Sequence, residues 1–138
     1  MQNLWPRIEG LLRDAGRDIS RPARYLNHEW GCTYKDDADY HFCMIYPDTY
    51  ELGQPNQAVR ILCNVVNAVD GMYAERGYLP AVDMIDLMRR EGVPAFSLES
   101  CAPLHEFDAV GFSLSHELVA TNVLEMLDLG RIPLRAAD

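Results

Sequence analysis

The sequence predicts an α/β fold in which a mostly parallel sheet is covered by helices on both faces. Two apolar runs, YHFCMIY at 40–46 and DAVGFSL at 108–114, have the composition of buried parallel strands. Segments with helical spacing of apolar residues alternate with such runs along the chain. With 138 residues, of which 49% are hydrophobic and 24% charged, the chain has the size and composition of one folded domain.

The amino-terminal segment is predicted to be a helix joined to the rest of the chain by an irregular connection. Pro6 suits the first turn of this helix and Gly16 suits its end. Residues 17–38 show no apolar period, so we expect them to lack regular structure. We therefore divide the chain into residues 1–38, the helix with its connection, and residues 39–138, the α/β domain. The apolar stripe of the helix consists of Leu4, Ile8, Leu11, Leu12 and Ala15.

Two helices and one further strand are expected after the first apolar run. Residues 47–56 are rich in turn-forming residues and lead into a helix that ends near Gly71. Residues 73–79 are a candidate strand, and the next helix begins at Pro80 and stops at Gly92. The face expected to be buried consists of Ala58, Ile61, Leu62, Val65 and Val69 in the first helix, and of Ala81, Met84, Ile85 and Met88 in the second.

The last part of the chain adds two strand candidates and one helix. Residues 93–98 are the weaker candidate, and we expect residues 108–114 to lie centrally beside the first apolar run. Ser113 or Ser115 is suited to cap the following helix. Residues 132–134 lead towards another strand, so we expect a fragment of a longer polypeptide with an incomplete domain. The apolar face of the last helix consists of Ala120, Val123, Leu124 and Leu127.

Charge and cysteine usage restrict the class of protein. Twelve basic and 21 acidic residues give a net charge of −9, and an acidic surface repels the phosphates of nucleic acids. No apolar run approaches the roughly 20 residues of a membrane-spanning helix, and the charges within residues 1–15 do not fit a signal peptide. The lack of any CxxC pair favours free buried thiols in a cytoplasmic protein. The four cysteines are Cys32, Cys43, Cys63 and Cys101.

Several motifs of known chemistry are absent from the sequence. There is no GxGxxG dinucleotide motif, no GxxxxGK[ST] phosphate loop and no GxSxG nucleophile turn. His41 and Cys43 would share one face of a strand, and Cys32 or His28 could join them around a metal, but packing inside the sheet is the interpretation we favour. A phosphoryl-receiver domain needs a lysine at the strand ends, and Lys35 precedes the first strand. We expect neither catalytic nor metal-binding residues in this chain.

Two loops are the candidate ligand-binding face. Ligands of open parallel sheets bind beyond the carboxyl ends of the strands, where the strand order reverses. If the two apolar runs lie side by side, the loops after them open onto one crevice. Singly, Asp48 and Ser115 are explained as helix caps, Gly53 as a turn glycine and His116 as a surface histidine. Together the loops favour a cofactor-binding face, with the candidates Asp48, Tyr50, Glu51 and Gly53 in the first loop and Ser113, Ser115, His116, Glu117 and Asn122 in the second.

Five stretches of the sequence are characteristic, and within them the combination of PDTYELG, LES…PL…FDAVGFSL and NVLEMLDL…IPLRAAD is specific. The five stretches are PARYLNHEW (22–30), YPDTYELG (46–53), ERGYLPAVDM (75–84), FSLESCAPLHEFDAVGFSLSHEL (96–118) and TNVLEMLDLGRIPLRAAD (121–138). Together they resemble the N-terminal region of a bacterial family of radical S-adenosylmethionine proteins with a cobalamin-binding-like domain. The similarity covers nearly the whole chain from Pro22 onward.

The resemblance implies a Rossmann-like, cobalamin-binding-type domain that precedes a radical S-adenosylmethionine barrel. In such proteins a CxxxCxxC loop holds a [4Fe–4S] cluster and leaves one iron open for S-adenosylmethionine. None of the four cysteines has that spacing, so we expect the cluster and S-adenosylmethionine only in a barrel downstream of Asp138. The DxHxxG motif of some cobalamin proteins is incomplete, because Asp39 and His41 match but Met44 replaces the glycine. Cobalamin would bind here without a histidine ligand from that motif.

Two functions stay open at this point. The first is a module of a radical S-adenosylmethionine enzyme that binds or positions a corrinoid or a substrate next to the barrel, without being catalytic itself. The alternative is a non-catalytic scaffold or interaction domain of the same fold that has lost the cofactor. An exposed sheet edge would also offer unpaired N–H and C=O groups to a second copy, so we expect a homodimer.

Overall fold

A computed structural model gives the fold of residues 1–14, 18–26, 29 and 32–135. Its strands are β1 (Tyr40–Tyr46), β2 (Met72–Tyr78) and β3 (Ala109–Phe112). Within the described residues they form one sheet of order β2-β1-β3, and both strand pairs are parallel. The predicted α/β fold is therefore confirmed, and the chain forms a small Rossmann-like domain.

Helices connect the strands. They are α1 (Trp5–Asp14), α2 (Tyr50–Gly53), α3 (Gln57–Asn67), α4 (Val82–Glu91) and α5 (Ala120–Leu129), with 3₁₀ turns at Pro22–Tyr25, Leu104–Glu106 and Glu117–Val119. The amino-terminal helix and the stop of α4 at Gly92, which has a left-handed φ of 63°, are as predicted. Ala15, Gly16 and His28 lie outside the described residues.

β1 is the central strand, as its continuous apolar composition predicts. Its register places Cys43 opposite Glu75 of β2 and opposite Val110 of β3. β3 lies at the edge of the described sheet. The prediction that this strand is central is therefore wrong for the described sheet. Val110 and Phe112 reach the core from one face of β3, and this burial does not require a second neighbouring strand.

Two apolar clusters hold the helices on the two faces of the sheet. On one face, the fully buried Cys43 and Ile45 belong to a cluster with Ile8 of α1, Met84 of α4 and Met126 of α5. The cluster on the other face consists of Val59 and Cys63 of α3 and Ala74 of β2, with Phe42, Met44, Tyr46 and Val66 packed against it. Helices therefore cover both faces, as expected for parallel strands.

The face of α3 that was predicted to be buried points towards solvent. Its residues Ile61, Leu62, Val65 and Val69 are between 47% and 61% exposed. The stripe of Val59, Cys63 and Val66 meets the sheet instead. Both stripes have helical spacing, so periodicity could not decide between them. The outward stripe leaves α3 with an exposed apolar face.

Residues 93–98 do not form the predicted strand. Phe96 makes an isolated antiparallel bridge to Pro103. The backbone N–H of Arg76 in β2 donates to the Glu99 carboxylate at 2.7 Å, so this ladder position is occupied by a side chain. Pro94 also lacks the N–H that a ladder needs.

The start and the buried face of α5 differ from the prediction. Val119 takes the N-cap position without a side-chain cap hydrogen bond, so neither Ser113 nor Ser115 caps the helix. Met126 and Leu129 are buried, whereas Ala120 and Leu124 of the predicted face are exposed. The 3₁₀ turn ahead of α5 is a tertiary detail that spacing cannot predict.

Candidate functional site

The two candidate loops leave neighbouring strands at the same end of the sheet. The chain runs from β1 to β2 on one side and then returns across β1 to β3 on the other side. The strand order therefore reverses between β1 and β3, which are paired in parallel. The predicted side-by-side, parallel arrangement of the two apolar runs is therefore confirmed. In folds of this type, ligands are expected to bind where the strand order reverses.

Three hydrogen bonds, two from side chains and one from the backbone, join the second loop and Asn122 of α5 to the end of β1. The Asn122 side-chain amide donates to the backbone carbonyl of Pro47 at 2.9 Å. The Tyr46 hydroxyl lies 3.3 Å from the Ser115 hydroxyl, and the Ser113 N–H donates to the Ile45 carbonyl at 2.8 Å. Three of the predicted residues in the second loop are thus brought to the mouth of the crevice.

His116 and Glu117 occupy the outer part of the second loop. Both side chains are exposed, and they lie at the start of the 3₁₀ turn that leads into α5. Ser115 is exposed as well, while Ser113 is partly buried. Hydroxyl, imidazole and carboxylate groups are therefore accessible to a ligand at this rim.

Asp48 stabilises the turn at the start of the first loop. Its Oδ1 accepts a hydrogen bond from the Thr49 N–H at 2.7 Å, and its carbonyl accepts one from the Leu79 N–H at 3.0 Å. The short helix α2 follows directly. Asp48 thus ties the end of β1 to the segment that follows β2.

Glu51 is engaged with two arginines. Its Oε1 lies 2.7 Å from Nε of Arg24 and 2.9 Å from an NH group of Arg21. Hydrogen bonds from Arg24 and then Arg21 lower the pKa of Glu51 to about 2. Glu51 therefore holds the 3₁₀ turn Pro22–Tyr25 against α2.

Tyr50 points to the β2 side of the sheet. Its hydroxyl donates to the Glu29 carboxylate, and its ring packs edge-on against Tyr78 with centroids 5.5 Å apart. Burial, followed by the hydrogen bond to Glu29, raises the pKa of the Tyr50 hydroxyl. Tyr50 is therefore a neutral hydrogen-bond donor at physiological pH.

Close packing against two tyrosines requires a residue without a side chain at position 53. A Cβ added to Gly53 would lie 2.4 Å from Cδ1 of Tyr78 and 3.1 Å from Cβ of Tyr46. Three candidates of the first loop, Tyr50, Glu51 and Gly53, therefore lie on the β2 side of β1. The second loop lies on the β3 side. The structure joins the loops through the end of β1 but does not bring all nine candidate residues into one cluster.

A buried charged network on β2 was missed by the sequence analysis. Arg76 is 8% exposed, and its Nε lies 2.6 Å from the carboxylate of Glu99, which is 4% exposed. The Arg76 guanidinium also contacts Glu29 at 3.2 Å and the Cys32 sulfur at 3.1 Å. Burial opposes the charge on Arg76, but the Glu99 carboxylate outweighs this effect, so the pKa of Arg76 is raised. The sequence did contain a signal for this network, since two charged residues, Glu75 and Arg76, lie inside the candidate strand 73–79.

A groove lies between α3 and the strands beside the crevice. It encloses about 210 Å³ and is lined by Met44, Ile45, Val59, Leu62, Gly111, Phe112 and Ser113. A Cβ on Gly111 would lie 3.2 Å from the Met44 sulfur, so the glycine keeps the groove open. The site thus combines an apolar slot with the polar rim of the second loop.

Neither a metal-binding cluster nor a membrane-spanning helix occurs among the described residues. Within the part of the chain that the structure describes, no three His, Cys, Asp or Glu side chains come together in a way that could hold a metal ion. None of the described helices is long and apolar enough to cross a membrane. Cys32, Cys43, Cys63 and Cys101 carry free thiols.

Comparison with known families adds an independent result. The family described as radical SAM proteins, N-terminal, matches residues 58–138, which is more than half of the chain. The match covers α3, β2, β3 and the second candidate loop, while the first loop precedes it. No curated protein and no solved structure matches the chain. The chain belongs to the family of N-terminal regions of radical SAM proteins.

Proposed function

We propose that this region binds or positions a corrinoid, or a substrate, next to a downstream barrel that holds the [4Fe–4S] cluster and S-adenosylmethionine. Membership of the family implies a downstream domain in the same polypeptide and the cluster chemistry in the parent protein. The observation that carries the proposal is the reversal of strand order between β1 and β3. This reversal puts two polar loops at one end of a parallel sheet, where such folds bind ligands.

The hydrogen-bonding groups of the crevice residues are of the types that could bind a corrinoid. The Ser113 and Ser115 hydroxyls and the Asn122 amide match the amide side chains of a corrinoid, which both donate and accept hydrogen bonds. The groove of about 210 Å³ beside Ser113 supplies an apolar wall. When bound, the corrinoid would supply group-transfer or redox chemistry to the downstream site, and the role of this region is to hold it.

The cluster itself does not fit this chain. The four cysteines lack the CxxxCxxC spacing, and no metal-binding group of side chains occurs among the described residues. We therefore assign the [4Fe–4S] cluster and S-adenosylmethionine to the downstream domain. Radical formation is not a step of the present region.

A scaffold without a cofactor is the second candidate. It is favoured by the first loop, in which Glu51 is held by Arg24, Tyr50 by Glu29, and Gly53 packs against Tyr78. Groups used for internal contacts are less available to a ligand. In this alternative the domain only orients the barrel or recruits a partner.

Titration of the full-length polypeptide with hydroxocobalamin distinguishes the two candidates. We expect a saturable change in the corrinoid absorption spectrum and retention of the corrinoid on gel filtration. The triple change Ser113→Ala, Ser115→Ala and His116→Ala should weaken binding at least roughly tenfold, since each lost polar contact contributes about 1 kcal/mol. His105→Ala, which lies before β3 at the other end of the sheet, is the matched control.

No spectral change and no retained corrinoid would reject the cofactor role. Binding that persists unchanged in the triple variant would reject these residues as its site. Unchanged turnover of the parent enzyme in the folded triple variant would favour the scaffold.

Three further assignments accompany this proposal. We take residues 1–38 as an amino-terminal helix with its irregular connection, and residues 39–138 as an incomplete α/β domain. We place the protein in the bacterial cytoplasm, because four free thiols suit a reducing compartment. We also propose a homodimer through the open edge of β3, because such an edge presents unpaired backbone groups.

A further inference from the structure

A second cleft lies at the amino ends of β1 and β2, opposite the crevice. It has a volume of about 410 Å³ and is walled by the first residues of the chain, by residues 34–36, by the starts of both strands and by residues 99–102. Backbone hydrogen bonding fixes the amino terminus there, because the Leu4 N–H donates to the Cys101 carbonyl at 3.0 Å. The cleft is therefore separate from the proposed corrinoid face.

Glu75 is an uncompensated carboxylate in the wall of this cleft. Its side chain is 0% exposed. Its Oε2 accepts hydrogen bonds from the Ser100 N–H at 2.9 Å and the Ser100 hydroxyl at 2.8 Å. Its Oε1 has no hydrogen-bond partner among the described residues. A buried carboxylate is ordinarily paired with a cation or fully hydrogen-bonded, so the free Oε1 indicates a missing partner.

Among the described residues, no cation beside the cleft forms an ion pair with Glu75, and this includes the amino-terminal ammonium of Met1, which also lines the cleft. Arg76 follows Glu75 in β2, so its side chain lies on the opposite face, where it pairs with Glu99 and Glu29. Lys35 also lines the cleft, but its ammonium donates to backbone carbonyls at 2.6 Å and 2.8 Å, those of Asn67 and Met72. In the described part of the chain, no ion pair reaches Glu75.

The remaining lining suits an organic cation. Trp5, Tyr34 and Tyr73 place aromatic rings in the cleft walls, and aromatic faces attract ammonium and guanidinium groups. His41 lines the cleft too, and its buried Nδ1 has no partner within the described residues. A neutral imidazole nitrogen can accept a hydrogen bond from an ammonium donor.

We propose that this cleft binds a small organic molecule through a primary ammonium group, with Glu75 as its counter-charge and the aromatic walls around its carbon chain. The inference goes beyond the proposed corrinoid function and does not depend on it. It uses a different end of the sheet and different residues. A ligand held there would sit against β2 and the amino-terminal segment.

NMR titration of the 138-residue chain tests the proposal. The amide signals of Tyr73 and Ser100 are followed at constant ionic strength with n-butylammonium chloride, with its neutral isostere n-butanol, and with sodium butyrate. We expect saturable shifts with n-butylammonium and at least roughly tenfold weaker binding of the other two probes, since neither can donate a charged hydrogen bond to the buried carboxylate. This comparison needs no variant to fold.

Two single-residue variants test whether the Glu75 carboxylate is the group that binds n-butylammonium. Glu75→Gln keeps an acceptor for Ser100 and removes the buried charge, so it should weaken n-butylammonium binding at least tenfold. Asp37→Asn, an exposed carboxylate outside the cleft lining, removes the same charge and should leave binding within twofold. Equal responses to the three probes, equal losses in both variants, or tighter binding of Mg²⁺ than of n-butylammonium would each overturn the proposal.

Discussion

Gly53 packs so closely against the ring of Tyr78 that a methyl group does not fit. Its added Cβ would lie 2.4 Å and 2.6 Å from two ring carbons of Tyr78. We expect Gly53→Ala to destabilise the fold by about 1–3 kcal/mol, which is the usual cost of overpacking. Urea unfolding measures this change as a lower transition midpoint.

Gly10 provides the matched control for this substitution. It lies inside α1, and a Cβ there would meet no atom within 4 Å. Gly10→Ala should leave stability unchanged or raise it by up to about 1 kcal/mol, because alanine is the better helix former. Equal stability of Gly53→Ala and the parent chain would contradict the packing argument.

Glu51 makes the stability of the fold dependent on acid pH. Its pKa is lowered from an ordinary value of 4.5 to about 2 by Arg24 and Arg21. A carboxyl group with a depressed folded-state pKa stabilises above its unfolded-state pKa, and this stabilisation is lost as the pH falls from about 4.5 towards 2. Glu51→Gln should therefore lower the urea midpoint at pH 7 and make its fall between pH 4.5 and 2 shallower.

Glu117→Gln serves as the control for the pH experiment. Glu117 is an exposed carboxylate of the second loop, so its removal should leave the slope of stability against pH close to that of the parent chain. A Glu51→Gln variant with the parent's full pH dependence would show that the arginine contacts do not form in solution.

Strand β3 and helix α3 leave apolar and hydrogen-bonding surface uncovered. β3 is paired on one side by β1 within the described sheet, and the outward stripe of α3 is about half exposed. Leu62 of this stripe lines the same groove as Gly111 of β3. The two surfaces are therefore adjacent, and contiguous apolar surface beside an open edge favours association.

We expect the 138-residue chain to self-associate into a dimer at high concentration, as measured by light scattering. Ala109→Lys places a charge on the exposed start of β3 and should raise the dissociation constant by roughly tenfold or more, because edge lysines oppose strand pairing. Ala23→Lys, exposed in the 3₁₀ turn away from β3, should have little effect. A strictly monomeric mass at high concentration would refute the dimer.

The elements differ in how far their sequence specified them. β1 was predictable residue for residue, because an uninterrupted apolar run suits a central parallel strand and little else of that length. The orientation of α3 was not, since its two apolar stripes both fit a helix and only packing against the sheet, including Ala74 of β2, distinguishes them. Local pattern decides the type of element, and packing decides which way it faces.

On the scale of the whole molecule, the sheet separates two prospective binding regions. The crevice lies at the carboxyl ends of β1 and β3, and the Glu75 cleft lies at the amino ends of β1 and β2. The strand order places them at opposite ends of β1. A downstream domain in the parent polypeptide could therefore contact one region without blocking the other.

The second loop of the carboxyl-end crevice lies within the family match and contacts the end of β1. The family match covers the second loop, and the topology brings that loop to β1 through Asn122 and Ser115. The first loop contributes mainly internal contacts. A ligand in the crevice would thus be held chiefly by the second loop.

The sequence by itself determined the α/β class, the position of β1, the helix that ends at Gly92 and the exit of two loops at the same end of the sheet. These features follow from local composition and from the restricted topology of parallel strands. Only the tertiary structure decided that Glu51 forms an ion pair with Arg24 and that Gly53 packs against the ring of Tyr78. It also decided that Glu75 is buried with one carboxylate oxygen that has no hydrogen-bond partner among the described residues. Such contacts join residues far apart along the chain, and no spacing rule reports them, because they depend on which faces of the elements meet.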